Sequence, residues 1–127
     1  MAYTSAYRFL AEFLHTALTR EGVQVGNTAS VPRVECHTFI ENTPSDKAGA
    51  VRVVSVIVES MSNRSPEEAA AMNAGNLAAI QAAGQTGTDY KVVGAVPTQL
   101  QELTEASDTQ IVLHRVLQTI DFYIQQL

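Results

Sequence analysis

The side chains of this chain that could do chemistry do not form a catalytic or metal-binding pattern. Cys36 and His37 are neighbours in a run whose apolar and polar residues alternate as in a β-strand. Because consecutive side chains of a strand point to opposite faces, they cannot form a thiolate–imidazole pair, and Cys36 is predicted to be a half-buried structural cysteine. His15, His37 and His114 fall on three separate predicted elements without the spacing of metal ligands.

Three carboxylates, Glu35, Glu41 and Glu59, could line up across two neighbouring predicted strands. Such a row is compatible with the acid and base groups of an enzyme, but a solvated strand edge explains it better. The segments GNTAS and GQTGTD lack the spacing and the lysine of a phosphate-binding loop. We therefore expect no enzymatic activity, no cofactor and no metal.

Length and composition predict one folded domain over residues 1–127. Apolar residues make up 46% and charged residues 17%, as in ordinary folded proteins. The net charge of −5, with no dense group of Lys and Arg, argues against tight binding of nucleic acid. The single cysteine excludes an internal disulfide and a cysteine-only zinc site, and it fits a reducing compartment. No segment has the pattern of a signal peptide or the roughly eighteen apolar residues of a membrane span.

The first predicted element is a helix that begins at Thr4 or Ser5, either of which can cap it, and runs to Arg20. Its core face is predicted from apolar residues at spacings of three and four. These residues are Tyr7, Leu10, Ala11, Leu14, Ala17 and Leu18. Phe9 and Phe13 lie off the centre of that face, and Phe9 is expected to point away from the main core. They form either a widened core face under a loop or a subunit contact.

Two strands are predicted next, at residues 33–41 and 51–61. They should pair as a hairpin whose eight-residue loop, 42–49, contains Asp46 and Lys47 and is long for a simple connection. The second strand is rich in β-branched residues at both alternating sets of positions. It is therefore predicted to be a central strand that is covered on both faces.

The second helix has the clearest local signature in the sequence. Ser65, Pro66 and Glu68 form a capping box with proline at the first helical position, and Gly84 is expected to end the helix. A thin apolar face follows, made of Ala69, Met72, Asn76, Leu77, Ile80 and Ala83. Asn73 and Asn76 fall within this face. They are either buried, with hydrogen-bond partners from the sheet or from a neighbouring subunit, or placed at an exposed edge.

The C-terminal third is predicted to be mostly extended. YKVVGAV reads as a strand that Gly94 and Pro97 bulge or bend before TQLQEL resumes it. Residues 109–127 are ambiguous, because their apolar spacing fits a helix and their β-branched and aromatic content fits a strand. The predicted fold class is α+β, with a mostly antiparallel sheet of about four strands packed against two helices.

Two stretches carry a resemblance to a known family, namely RVVSVIVESMSNRSPEEAAAMNAGNLAAI and SDTQIVLHRVLQTIDFYI. Their element order and hydrophobic placement resemble the small tail-completion and tail-terminator proteins of long-tailed bacteriophages. Those proteins open with a helix, as residues 5–20 do here, and have an α+β fold whose C-terminal run is a strand. The resemblance therefore favours a strand over residues 110–124.

The resemblance implies a virion structural protein that forms a ring, commonly of six subunits, on the head-proximal end of the tail tube. Such a ring stops tube growth and joins the tail to the head connector, after assembly in the host cytoplasm. Its expected partners are further copies of itself, the tail tube protein and the connector protein. DNA would pass through without specific binding, repelled by acidic side chains. The candidate interface residues are Phe9, Phe13, Asp46, Lys47, Met72, Asn73 and Asn76.

Other functions remain open at this point. The chain could be a tail-tube or head–tail connector subunit built on the same fold. It could also be a non-viral α+β binding or adaptor domain, or a small enzyme whose cleft the sequence does not reveal. A helix over the last 19 residues would remove the resemblance and leave an unassigned α+β domain.

Overall fold

A five-stranded sheet carries two helices on one of its faces. The computed structural model describes residues 6–19, 24–26, 31–41, 51–83, 90–106 and 112–127. Its elements are α1 (Ala6–Leu18), β1 (Gln24–Val25), β2 (Arg33–Glu41), β3 (Val51–Ser62), α2 (Pro66–Ala82), β4 (Tyr90–Ala106) and β5 (Val112–Gln126). Neither helix in these ranges is long and apolar enough to cross a membrane.

The strands lie side by side in the order β1-β2-β3-β5-β4. The four long strands pair antiparallel, whereas the two-residue β1 pairs parallel with β2. The predicted α+β class, the hairpin of β2 with β3 and the central position of β3 are therefore confirmed. The loop 42–49 lies outside the described residues.

The core lies between the helices and one face of the sheet. Every second residue of β3 and β5 points into it, as the pleat of a strand requires. These residues include Val54, Val56, Val58, Ile120, Phe122 and Ile124, all almost fully buried. In β2, a bulge at Thr38, whose φ is 57°, shifts the alternation. As a result Phe39 packs against the same core as Val34 and Cys36.

Helix α1 is rotated relative to the prediction. Phe9 is 2% exposed and packs against Tyr90 with ring centroids 5.7 Å apart, and Phe13 packs against Phe122 at 6.3 Å. Tyr7, which was assigned to the core face, is 51% exposed. The expectation that Phe9 points away from the core is wrong. Two phenylalanines bury more apolar surface than a tyrosine and alanines, so the helix turns them inward.

Helix α2 begins as its capping box predicts. The backbone N–H of Glu68 donates to the Ser65 hydroxyl at 3.0 Å, and Pro66 occupies the first turn. The helix ends at Ala82, and Gly84, the predicted stop, lies outside the described residues.

Both asparagines of α2 are buried against the sheet. Asn76 donates to the Ser60 hydroxyl of β3 at 2.9 Å, and Asn73 donates to Gln118 of β5 at 3.3 Å. The prediction of exposed edge positions is wrong, and the prediction of partners from the sheet is confirmed. Hydrogen bonds to the sheet offset part of the cost of burying these amides, although the Asn73 Oδ1 atom is buried without a partner among the described residues.

The ambiguous C-terminal stretch is a strand, as the resemblance requires. Residues 112–126 pair with β3 on one side and with β4 on the other. β4 is continuous from Tyr90 to Ala106, with shifts in register between Val92 and Gly94 and between Pro97 and Leu100. The predicted irregularities at Gly94 and Pro97 are confirmed.

Replacing the capping residue tests this account of α2. We expect Ser65→Ala to lower the free energy of unfolding by about 1 kcal/mol, because the N–H of Glu68 loses its acceptor. Urea denaturation followed by circular dichroism measures the change. Asn63→Ala, at an exposed position two residues earlier, is the matched control and should leave the stability nearly unchanged. Equal stability of the two variants would contradict the assigned cap.

Candidate interaction surface

The face of the sheet opposite the helices is uncovered in the described part of the chain. The strand registers define which side chains share it, because directly paired residues point to the same face. We call this surface the open face. It contains Arg33, Glu35, His37 and Ile40 of β2; Val51, Val53, Ser55, Ile57, Glu59 and Met61 of β3; Leu113, Arg115, Leu117, Thr119, Asp121, Tyr123 and Gln125 of β5; and Lys91, Gly94, Val96, Gln101, Leu103 and Glu105 of β4.

The open face is more apolar than a solvent-facing sheet normally is. Val96 is 48% exposed, Tyr123 36% and Ile40 52%. Val53 and Ile57 lie between them and are half-buried. An antiparallel sheet with one wet face usually places polar residues there. The open face is therefore a candidate surface for contact with another protein.

One end of the open face carries a network of ion pairs around Glu59. This carboxylate is only 3% exposed and accepts hydrogen bonds from Arg115 and from His37, whose Nε2 lies 2.9 Å from Glu59 Oε1. Arg115 also donates to Glu105 across the β4–β5 pair. The register places Glu59 directly opposite Glu35 and places Arg115 beside Met61. Each of the four long strands thus supplies one member of the network.

The network holds Glu59 in its ionised form. Burial acts to raise the pKa of Glu59, but hydrogen bonds from Arg115 and His37 outweigh it, so the pKa lies below the ordinary value. The hydrogen bond to Glu59 raises the pKa of Arg115 in turn. A permanently ionised pair of this kind fixes strand positions and is poorly suited to exchanging protons.

The predicted row of three glutamates is only partly present. Glu59 and Glu35 do face each other on the open face, but Glu41 lies on the other face and binds Arg52 at 3.0 Å. The prediction of a solvated strand edge is wrong for Glu59, because β3 is central and Arg115 covers the carboxylate.

Cys36 and His37 point to opposite faces, as the alternation of β2 predicts. Cys36 packs against the core, and burial, with a smaller contribution from Glu35, raises the pKa of its thiol to about 12. The thiol is therefore protonated and unreactive at neutral pH. Within the described ranges, no three His, Cys, Asp or Glu side chains come close enough together to hold a metal ion.

Strand β4 forms one edge of the sheet and adds exposed apolar side chains beyond the open face. Among the described residues it pairs only with β5, and every side chain from 96 to 106 is exposed. Leu100, on the side of the sheet that carries the helices, is 56% exposed. The bulges and Pro97 interrupt the first half of this edge, which limits uncontrolled strand pairing.

The interface residues predicted from the sequence do not form this surface. Five of them lie in the interior, and two lie outside the described residues. The interior ones are Phe9, Phe13, Met72, Asn73 and Asn76, and the other two are Asp46 and Lys47. A buried side chain has no area to offer a partner, so the five are corrected to core residues. The signal for the open face was present in the sequence, in the apolar residues on both sides of β3.

Removal of the Arg115 charge tests the network. We expect Arg115→Met, which keeps an unbranched apolar side chain, to lower the free energy of unfolding by about 2 kcal/mol, because Glu59 remains buried with fewer partners. Urea denaturation at neutral pH gives the value. Arg64→Met breaks the exposed Arg64–Glu68 pair and serves as the control, with little change expected. Equal losses in the two variants would contradict the role given to Arg115.

The ionisation of Glu59 also predicts how stability depends on pH. Because the folded state lowers the pKa of Glu59, its contribution is complete above the ordinary value of 4.5 and is lost as the pH falls through the folded value. Glu59→Gln does not titrate there. The free energy of unfolding of the wild type should therefore exceed that of this variant at neutral pH. The difference between the two values should become smaller below pH 4.5. Urea denaturation over a pH series measures it, and a gap that stays constant in acid would refute the prediction.

No model of a known protein family and no curated protein sequence matches this chain.

Proposed function

We propose that this chain is a structural protein of a long-tailed bacteriophage that forms a ring of six copies on the head-proximal end of the tail tube. There it ends the growth of the tube and joins the tail to the head connector. The observation that carries this proposal is the open face, a broad surface on which exposed apolar side chains lie among polar ones and which the described chain leaves uncovered. A protein whose work is assembly needs such a surface.

The C-terminal strand supports the proposal independently. The resemblance to tail-terminator proteins requires a strand where apolar spacing alone allows a helix, and β5 occupies that stretch. The element order helix, two strands, helix, two strands also agrees with it, apart from the short β1.

The chemistry of the polar groups agrees with a structural role. The best-developed polar cluster, around Glu59, is closed on itself by ion pairs. The Glu59 carboxylate and the Arg115 guanidinium neutralise each other, and their ion pair links neighbouring strands.

The overall charge is compatible with a channel for DNA. A net charge of −5 per chain multiplies in a ring, and acidic side chains that line a lumen would keep DNA phosphates from adhering. A closed ring needs a contact of head-to-tail type, in which two different surfaces of the subunit meet.

The oligomeric state in solution tests the proposal first. We expect light scattering after size exclusion to give about six times the 13.7 kDa chain mass over a range of concentrations, and electron micrographs to show rings. A strict monomer that stays monomeric when tail tubes are added would contradict the proposal.

Adding this protein to growing tail tubes distinguishes a tail terminator from a tube subunit. With the tail tube protein encoded in the same genome, we expect this chain to bind one tube end and to shorten the tubes as its concentration rises. Incorporation along the whole tube would indicate a tube subunit, and binding to the connector alone would indicate a connector component. An unrelated acidic protein of similar size is the control for non-specific shortening.

A further inference from the structure

We infer that the open face of the sheet packs against a second copy of this chain. The inference rests on the proposed function, because it names the surface through which neighbouring subunits of the ring meet.

Strand β3 carries apolar side chains on both of its faces. Val54, Val56 and Val58 are buried under the helices, whereas Val53 and Ile57 alternate with them on the open face and are only half-buried. Strands that are apolar on both faces occur where both faces of the sheet are covered. The helices of this chain cover one face of the sheet. The other face is also suited to being covered, and the described part of the chain does not cover it.

The size of the open face suits a stable contact between subunits. β3 has 12 residues, which span about 40 Å, and the four long strands together are about 19 Å wide. Since β2 has 9 residues and is shorter, the face measures about 700 Å², close to the roughly 800 Å² that each partner gives to a standard interface.

The charges of the open face are nearly balanced, which favours another copy of the chain over a strongly charged partner. The chain as a whole is acidic, with a net charge of −5, so copies repel each other at most other surfaces. The face carries three basic residues, Arg33, Lys91 and Arg115, and four acidic ones, Glu35, Glu59, Glu105 and Asp121. Two of the acids are already bound to Arg115, and Asp121 accepts a hydrogen bond from Ser55 at 2.6 Å.

The opposite side of the subunit offers a surface that fits this face. The outward side of α2 exposes Ala70, Ala71, Ala74 and Ala78. Since α2 packs on the other side of the sheet, these alanines point away from the open face. Packing the α2 of one copy on the open face of the next gives each sheet helices on both sides, a stable layered arrangement. This contact joins two different surfaces, as ring closure requires.

A matched set of lysine variants tests the inference. Val96→Lys with Tyr123→Lys places two charges on the open face at positions that are 48% and 36% exposed. Leu100→Lys changes the same strand at a position 56% exposed, on the other side of the sheet. Circular dichroism and a thermal melt establish folding. If the double variant does not fold, Val96→Lys with Leu103→Lys, also on the open face, replaces it.

We expect the open-face variant to run as a folded monomer in light scattering, and Leu100→Lys to keep the mass of the wild type. An open-face variant that keeps the assembled mass overturns the inference and leaves the proposed ring intact. Loss of assembly in Leu100→Lys as well would place the contact at the β4 edge and also overturn it. A wild type that forms only a dimer, lost in the open-face variant, supports the inference and contradicts the ring. A wild type that stays monomeric even when tail tubes are added contradicts both.

Mixing two defective variants identifies the surface that the open face binds. Ala74→Lys on the outward side of α2 should also run as a monomer. In a head-to-tail contact the mixture with the open-face variant should form a heterodimer, because one intact pair of surfaces remains. The alternative is that the open face of one copy packs against the open face of another. In that case Ala74→Lys alone keeps the wild-type mass, and its mixture with the open-face variant forms no heterodimer. That result overturns the assignment of α2 as the matching surface.

Discussion

The antiparallel pairing of β3 with β5 fixes the position of almost every other feature of this structure. It runs without a register shift from Val51 and Gln125 to Ser62 and His114. This pairing brings Glu59 within reach of Arg115 and places Gln118 under Asn73 of α2. A slip of one residue would exchange the two faces of β5 and turn Phe122 out of the core. The core, the ion-pair network and the open face therefore all depend on one register.

The two faces of this sheet differ in what covers them in the described part of the chain. On one face, α1 contributes phenylalanines and α2 contributes small residues with two buried amides. The amides bind Ser60 and Gln118, so α2 is held by directional bonds where its thin apolar stripe supplies little burial. On the other face, the ion pairs around Glu59 and the hydrogen bond from Ser55 to Asp121 lie among partly exposed apolar side chains. A sheet with one face covered by helices and one face that exposes apolar side chains is suited to contact with another protein.

Local sequence patterns predicted the elements well where the chemistry is local. The capping box at Ser65 marked the start of α2, and alternation marked β2 from Arg33 to Glu41, because caps and pleats depend on neighbouring residues only. The rotation of α1 was mispredicted, since the apolar spacing favoured Tyr7 for the core face and placed Phe9 away from it. Contact of Phe9 with Tyr90 of β4 decided between them.

The sequence by itself determined the α+β class, the hairpin of β2 and β3, the irregular β4 and the apolar character of β3 on both sides. Local patterns left residues 112–126 ambiguous, and tertiary structure decided that they are a strand, because pairing on both sides satisfies their backbone hydrogen bonds and outweighs a helical spacing. It also decided that Glu59 is buried and ion-paired with Arg115, a residue 56 positions away. Local patterns cannot encode such pairings, since their energy comes from groups that only the folded register brings together.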